Sequence, residues 1–80
     1  MNQTTQTAAY SWSHRPGAGD HAINLQRNGA YFGVLRRMCG RFDCVLADDR
    51  ATVSYRTATA AVAAMGRILG DTLPTPPKFR

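Results

Sequence analysis

The stretch Ala22–Val34, AINLQRNGAYFGV, sets the dipeptide Asn28-Gly29 between two segments of alternating polarity. Asn-Gly is the strongest short-range hairpin signal, because a type I′ turn needs positive φ at both central positions. A two-residue turn also sets the register. It places Arg27 opposite Ala30, Gln26 opposite Tyr31, Leu25 opposite Phe32, Asn24 opposite Gly33 and Ile23 opposite Val34. One face is then expected to carry Ile23, Leu25, Phe32 and Val34, and the other Asn24, Gln26 and Tyr31. A slip of one residue would mix these sets.

Further strands follow from the same period. Tyr10–His14 alternates, with Tyr10, Trp12 and His14 on one face, and would add a fifth strand to a sheet of four. The hairpin's second strand is expected from Ala30 to about Arg37, Phe42–Ala47 supplies the next with Phe42, Cys44 and Leu46 on one side, and Ala51–Arg56 the last with Val53 and Tyr55 inward. Arg15–Asp20 reads as a Pro/Gly loop, Met38–Arg41 as a turn at Gly40, and Asp48–Arg50 as an Asx-type turn. Clean alternation marks an antiparallel sheet with one wet face.

A single helix is expected from about Ala58 to Leu69, with Thr57 as N-cap and Gly70 just past its end. Ala58, Ala61, Val62, Met65, Ile68 and Leu69 form its apolar stripe at the 3.6-residue period. Residues 1–9 have no periodicity and read as a disordered N-terminal tail; 71–80 read as an extended Pro-rich C-terminal tail. The fold class is therefore α+β: one domain over 10–70, a four- or five-stranded antiparallel meander with one C-terminal helix packed on one face. Its expected core is Ile23, Leu25, Phe32, Val34, Phe42, Cys44, Leu46, Val53, Tyr55, Val62, Met65, Ile68 and Leu69.

Eighty residues bury roughly 60–65 % of their surface on folding, enough for one core layer and little for a deep catalytic cleft. The formal charge is +5; nine of the ten basic residues are Arg, and no Glu is present. Twelve Ala and nine Arg against one Lys is also what GC-rich coding produces, but the net charge favours a partner of opposite sign. No apolar run reaches the ~20 residues of a membrane span. The polar start MNQTTQTAA lacks a secretory h-region. A cytoplasmic location is expected, with Cys39 and Cys44 as reduced thiols.

Motifs for chemistry are sparse. Cys39 and Cys44 form C-x4-C, but the second pair of zinc ligands would have to be His14 and His21, and Cys44 falls on the inward side of its strand. Ser11, Ser13, Cys39, His14, His21 and Asp20 supply the residue types of nucleophilic catalysis without nucleophile-elbow spacing. Arg15–Asp20 has two glycines but no Gly-Lys-Ser/Thr and no strand-to-helix setting for a phosphate loop. No metal, cofactor or enzymatic activity is expected. The basic residues carry more. Arg36, Arg37 and Arg41 cluster around the turn that follows the hairpin, with Arg27 near another strand end and Tyr31 as an exposed aromatic. Interface hot spots favour Tyr and Arg. On the helix, Ala60, Ala63 and Arg67 form an outer face of mostly small side chains, a candidate homodimer contact.

From Asn28 to Met65 the order is a Gly-containing turn, a short strand pair, and then YRTATAAVAAM, a strand end feeding Thr into an Ala-rich helix. This scheme resembles the small ββββα proteins of phages and mobile elements, several anti-CRISPR proteins among them. The resemblance is architectural, spans about half the chain and carries over no functional residue. It implies a stoichiometric inhibitor that blocks a surface of a CRISPR effector complex in the host cytoplasm. Many such inhibitors are acidic mimics of nucleic acid; a basic one would dock on an acidic protein surface or on guide RNA. The scheme is also similar to the arm-DNA-binding domains of phage integrases, which read DNA with a three-stranded sheet. The functional expectation is a non-enzymatic, protein-binding inhibitor of the anti-CRISPR type. The alternative is a small basic DNA- or RNA-binding protein using the arginine-rich end of its sheet.

Overall fold

The computed structural model of the protein describes residues 9–15 and 21–79. Apart from Ala9 and Arg15, the expected N-terminal tail and the loop before the hairpin lie outside the described residues. Five strands, β1 (Tyr10–His14), β2 (Ala22–Arg27), β3 (Ala30–Met38), β4 (Arg41–Leu46) and β5 (Thr52–Tyr55), precede one helix, α1 (Ala58–Leu69). The strands form one antiparallel sheet in chain order, so the fold is the expected α+β meander, and Tyr10–His14 does join it. The Asn28-Gly29 turn has φ of 52° and 83° and Cys39-Gly40 has 51° and 77°, the positive pair that a type I′ hairpin requires. Ala9 extends the β1–β2 ladder: Asn28 N–H donates to its carbonyl (2.7 Å), and its own N–H donates to Asn28 Oδ1 (3.0 Å).

The expected register holds only for the first two pairs, Arg27 with Ala30 and Gln26 with Tyr31. A β-bulge then shifts it, so Leu25 faces Gly33, Asn24 faces Val34 and Ile23 faces Leu35. Phe32 is the extra residue. It still packs against the core, while its carbonyl accepts from Ala47 N–H at 2.9 Å. Beyond the bulge every assignment in β3 inverts. Leu35, absent from the expected core, is fully buried beside Cys44 and Leu46, and Val34 moves to the opposite face. Gly33 allows the close approach of β4: a Cβ there would stand 2.8 Å from the Val45 carbonyl oxygen.

Thr57 caps α1, its Oγ1 accepting from Ala60 N–H at 3.1 Å, and Gly70 closes the helix in the left-handed region. The buried helix face is Ala61, Val62, Ala64, Met65 and Gly66. Ile68, expected inward, is 56 % exposed, and Tyr55 of the expected core is 39 % exposed. Residues 71–79 are not a free tail. The chain reverses after Gly70, Asp71 N–H donates to the Gly66 carbonyl at 3.0 Å, and Leu73 and Phe79 pack against the core. A Cβ on Gly66 would lie 2.7 Å from the Asp71 carbonyl oxygen, so this reversal fits only glycine without a shift. The helix contacts β4 and β5; this strap crosses to β1, where Trp12 Nε1–H donates to the Pro74 carbonyl (2.9 Å) and the Tyr10 hydroxyl donates to Asp71 Oδ2 (2.7 Å).

The shifted register has a stability signature. Leu35→Ala is expected to cost about 2–5 kcal/mol, whereas Ile68→Ala stays within about 0.5 kcal/mol, as surface changes do. Urea unfolding of the two variants checks this; equal costs would restore the unshifted core.

Candidate functional site

Helix and strap lie on the same side of the sheet. By the pairing register, the other side presents Ser11 and Ser13 from β1, Asn24 and Gln26 from β2, and Tyr31, Val34, Arg36 and Met38 from β3. Arg41, Asp43 and Val45 of β4 and Thr52 and Ser54 of β5 complete it. This open face is polar at its margins and holds two of the four large hydrophobic side chains exposed among the described residues, Tyr31 (48 %) and Met38 (51 %). The Arg15 guanidinium stands 5.9 Å from the Tyr31 ring centroid.

The expected arginine cluster is divided by the pleat. Arg36 and Arg41 share the open face. Arg41 is held in place, its Nε donating to Ser54 Oγ (2.9 Å) and its Nη2 to the Ser54 carbonyl (3.0 Å). Arg36 is half-buried opposite Asp43. Among the described residues its Nε, like Asn24 Oδ1, is shielded without a hydrogen-bond partner. Arg37 points to the helix side, where its guanidinium stands 5.6 Å from the Phe79 ring. Arg27 is also on that side, 5.8 Å from the Tyr10 ring and 5.4 Å from Phe32, with Arg50 5.8 Å from Phe32. The candidate site therefore keeps Tyr31, Arg36 and Arg41, loses Arg27 and Arg37 to the opposite face, and gains Met38 and Ser54. The period-2 rule already places Arg36 and Met38 together and Arg37 apart.

Among the described residues, concavities on the helix side include two beside α1. Tyr10, Arg27, Arg50 and Asp71 border one of about 340 Å³. Burial, reinforced by the hydrogen bond to Asp71, raises the Tyr10 hydroxyl above its usual value. The other, about 470 Å³, runs between α1 and the strap. Of the expected dimer face, Ala63 and Arg67 form one wall of this groove with Leu73–Pro76 opposite, while Ala60 is half-buried beside it. Ala63 and Arg67 remain exposed along this groove.

The residue types for catalysis do not converge. Ser11 and Ser13 point to the open face and His14 to the other, Cys44 is fully buried, and Cys39 is exposed in its turn. Among the described residues no group of three or more His, Cys, Asp or Glu side chains is arranged to hold a metal ion, and no helix is long and apolar enough to cross a membrane. Family models, curated proteins and solved structures yielded no match to the chain.

Burial pushes the Cys44 thiol up from 9.0 to about 11. Unfolding therefore releases a proton between those values, and stability should fall as pH rises from 9 to 11, being fully present below 9. At pH 8 an alkylating reagent should modify Cys39 quickly and Cys44 only on unfolding. Mass spectrometry reads this, and two rapid additions would contradict the buried position of Cys44.

Proposed function

We propose that the chain is a non-enzymatic binding protein that works by occlusion, seating the open face of its sheet on an acidic surface of a larger protein complex. A CRISPR effector is the target that the anti-CRISPR resemblance implies. The observation that carries the reading is the composition of the uncovered face. Tyr31 and Met38, both about half exposed, stand at opposite ends of β3, with Arg36 and Arg41 at the Met38 end and a margin of Ser, Thr, Asn and Gln on the flanking strands. Aromatic residues, Met and Arg are the types enriched where proteins meet, and polar side chains make the rim. The Ser54 contacts fix Arg41 before binding, which lowers the side-chain entropy lost on docking. The net charge of +5 favours an acidic counterpart and speeds encounter with it.

A protein partner fits better than nucleic acid for a geometric reason. Much of the basic charge, Arg27, Arg37 and Arg50, lies over aromatic rings on the opposite side. The open face itself interposes Asp43 between Arg36 and Ser54, so the charge does not form the continuous stripe that tracks a phosphate backbone.

The double substitution Arg36→Glu with Arg41→Glu is expected to weaken partner binding about 10–100-fold, as loss of two hot-spot contacts does. Tyr31→Ala should weaken it comparably, while Arg67→Glu on the helix leaves it unchanged. Pull-down from nuclease-treated host lysate supplies the partner, and titration at several salt concentrations measures it. Capture that vanishes after nuclease treatment, with affinity falling steeply and linearly in log salt, would instead identify nucleic acid.

A further inference from the structure

The strap is held by the chemistry with which proline-rich peptides are recognised. Within Leu73-Pro74-Thr75-Pro76-Pro77 each proline ring fixes its own φ, and each residue preceding a proline is driven to extended backbone. Such a segment is ordered before it docks and makes no hydrogen bonds within itself, so its carbonyls are free to accept. Here the Trp12 indole N–H donates to the Pro74 carbonyl at 2.9 Å. Phe79 sits edge-on to Phe42, ring centroids 5.2 Å apart at 64°, beneath the Arg37 guanidinium. Leu73 packs against the core, and Tyr10 holds Asp71. An aromatic N–H donor beside apolar troughs is how extended proline segments are read.

The attachment is also suited to exchange. Among the described residues the strap makes one backbone-to-backbone hydrogen bond to the rest of the fold, at Asp71, directly after the left-handed Gly70. Everything beyond that point is held by side chains. No strand ladder has to be broken to lift it.

We propose that the aromatic trough on the helix side of the sheet is a proline-rich peptide site, filled in cis by residues 71–79. A partner's proline-rich segment of the same pattern, Leu-Pro-x-Pro-Pro followed two residues on by an aromatic, takes the seat by displacing the strap. The site lies on the opposite face of the sheet from the docking surface proposed above and does not depend on it. The cis segment competes at the effective concentration of a short tether, in the millimolar range, so the intact chain admits the partner weakly and any loosening of the strap raises its affinity.

Trp12 is the only tryptophan, so its emission reports the seat directly. A fluorescein-labelled peptide of sequence DTLPTPPKF is titrated into the full-length protein and followed by anisotropy. Wild type should bind it weakly. In full-length Phe79→Ala binding should tighten about tenfold or more as the cis competitor loosens. Trp12 emission should shift to the red in that variant and return when peptide is added. Asp71→Ala, which leaves the seat intact and removes only the carboxylate that Tyr10 holds in the cis segment, should tighten binding to a smaller extent and serves if Phe79→Ala does not fold by circular dichroism. A peptide with its prolines changed to glycine should bind at least about tenfold more weakly, since it loses the pre-ordered backbone. Equal affinity of wild type and Asp71→Ala, together with no gain in Phe79→Ala, would overturn the proposal, as would equal binding of the glycine peptide. Wild-type dimers that the labelled peptide dissociates would assign the seat to a second copy's strap and overturn the partner assignment.

Discussion

One short helix cannot roof five strands. At ~4.8 Å between neighbours the sheet is about 19 Å wide, whereas a helix with its side chains covers about 10 Å. In this protein α1 lies over β4 and β5, and the apolar residues of β1–β3 would face water if nothing else covered them. Leu25 and Leu35 are nevertheless fully buried and Ile23 nearly so. Leu35 packs with Ala61, Val62 and Met65 of the helix, and the strap adds Leu73 and Phe79 to that cluster while reaching β1 through Tyr10 and Trp12. Leu73 and Phe79 fill apolar space, and Trp12 and Tyr10 satisfy their polar tips on Pro74 and Asp71. Gly66 has no side chain because the reversing chain passes where a Cβ would stand. A domain this small keeps only a few kcal/mol of net stability, so the cover given by the strap, or by a segment that takes its place, is a sizeable share of it.

The same need explains which parts of the structure are legible in the sequence. Strand order, hairpin turns and both helix caps depend on local chemistry, and Asn28-Gly29, Thr57 and Gly70 state it in the residues themselves. The bulge depends on a choice that alternation leaves open. In Tyr31-Phe-Gly-Val-Leu35 both Val34 and Leu35 are apolar, so either register satisfies a greasy side, and only the packing of Leu35 against Cys44 and Leu46 decides between them. Gly33 was the available clue, because an isolated glycine within a strand often marks a bulge or a close backbone approach. The strap was hidden by its prolines, which exclude helix and ladder but not burial. Leu73 and Phe79, two large apolar residues in a short Pro-rich stretch, were the sign that it is packed. Of the candidate site, residue types were legible and faces were not: Arg36 and Arg37 are neighbours in sequence, but the pleat sends them to opposite sides of the molecule.

That division changes what the arginines mean. Guanidinium groups are flat and weakly hydrated, so they lie on ring faces where an ammonium would keep its water. Among the described residues four of them stand within 6 Å of an aromatic ring centroid: Arg15 by Tyr31, Arg27 by Tyr10 and Phe32, Arg37 by Phe79, and Arg50 by Phe32. Each such contact contributes about 0.5–1 kcal/mol at an exposed site. The Arg stem also covers apolar surface that a thin domain cannot otherwise hide. Arg50 is further tied to Asp48 at 3.3 Å, an exposed pair of small energetic weight. The preference for Arg over Lys therefore has a structural cause besides coding bias. Three of these arginines, Arg27, Arg37 and Arg50, shield the rims of the helix-side core, and counting them as contact charge overstates the binding patch.

The surface proposed above for recognition is small. On the open face Arg36 lies between Val34 and Met38 along β3, with Arg41 paired to Met38 and Val45 paired to Val34. Val34 retains only 6 % of its exposure, so its neighbours already crowd over it. A partner seated there needs to displace little water from Val34 and gains most of its apolar contact from Tyr31 and Met38. Because β3 is the central strand, its two sides serve both surfaces of the sheet. Leu35 and Arg37 face the strap, and Val34 and Arg36 face the open side. Distortion of β3 by a ligand on one side must therefore be felt by side chains on the other. For the two sites proposed above, any coupling through β3 would have the same sign read from either side.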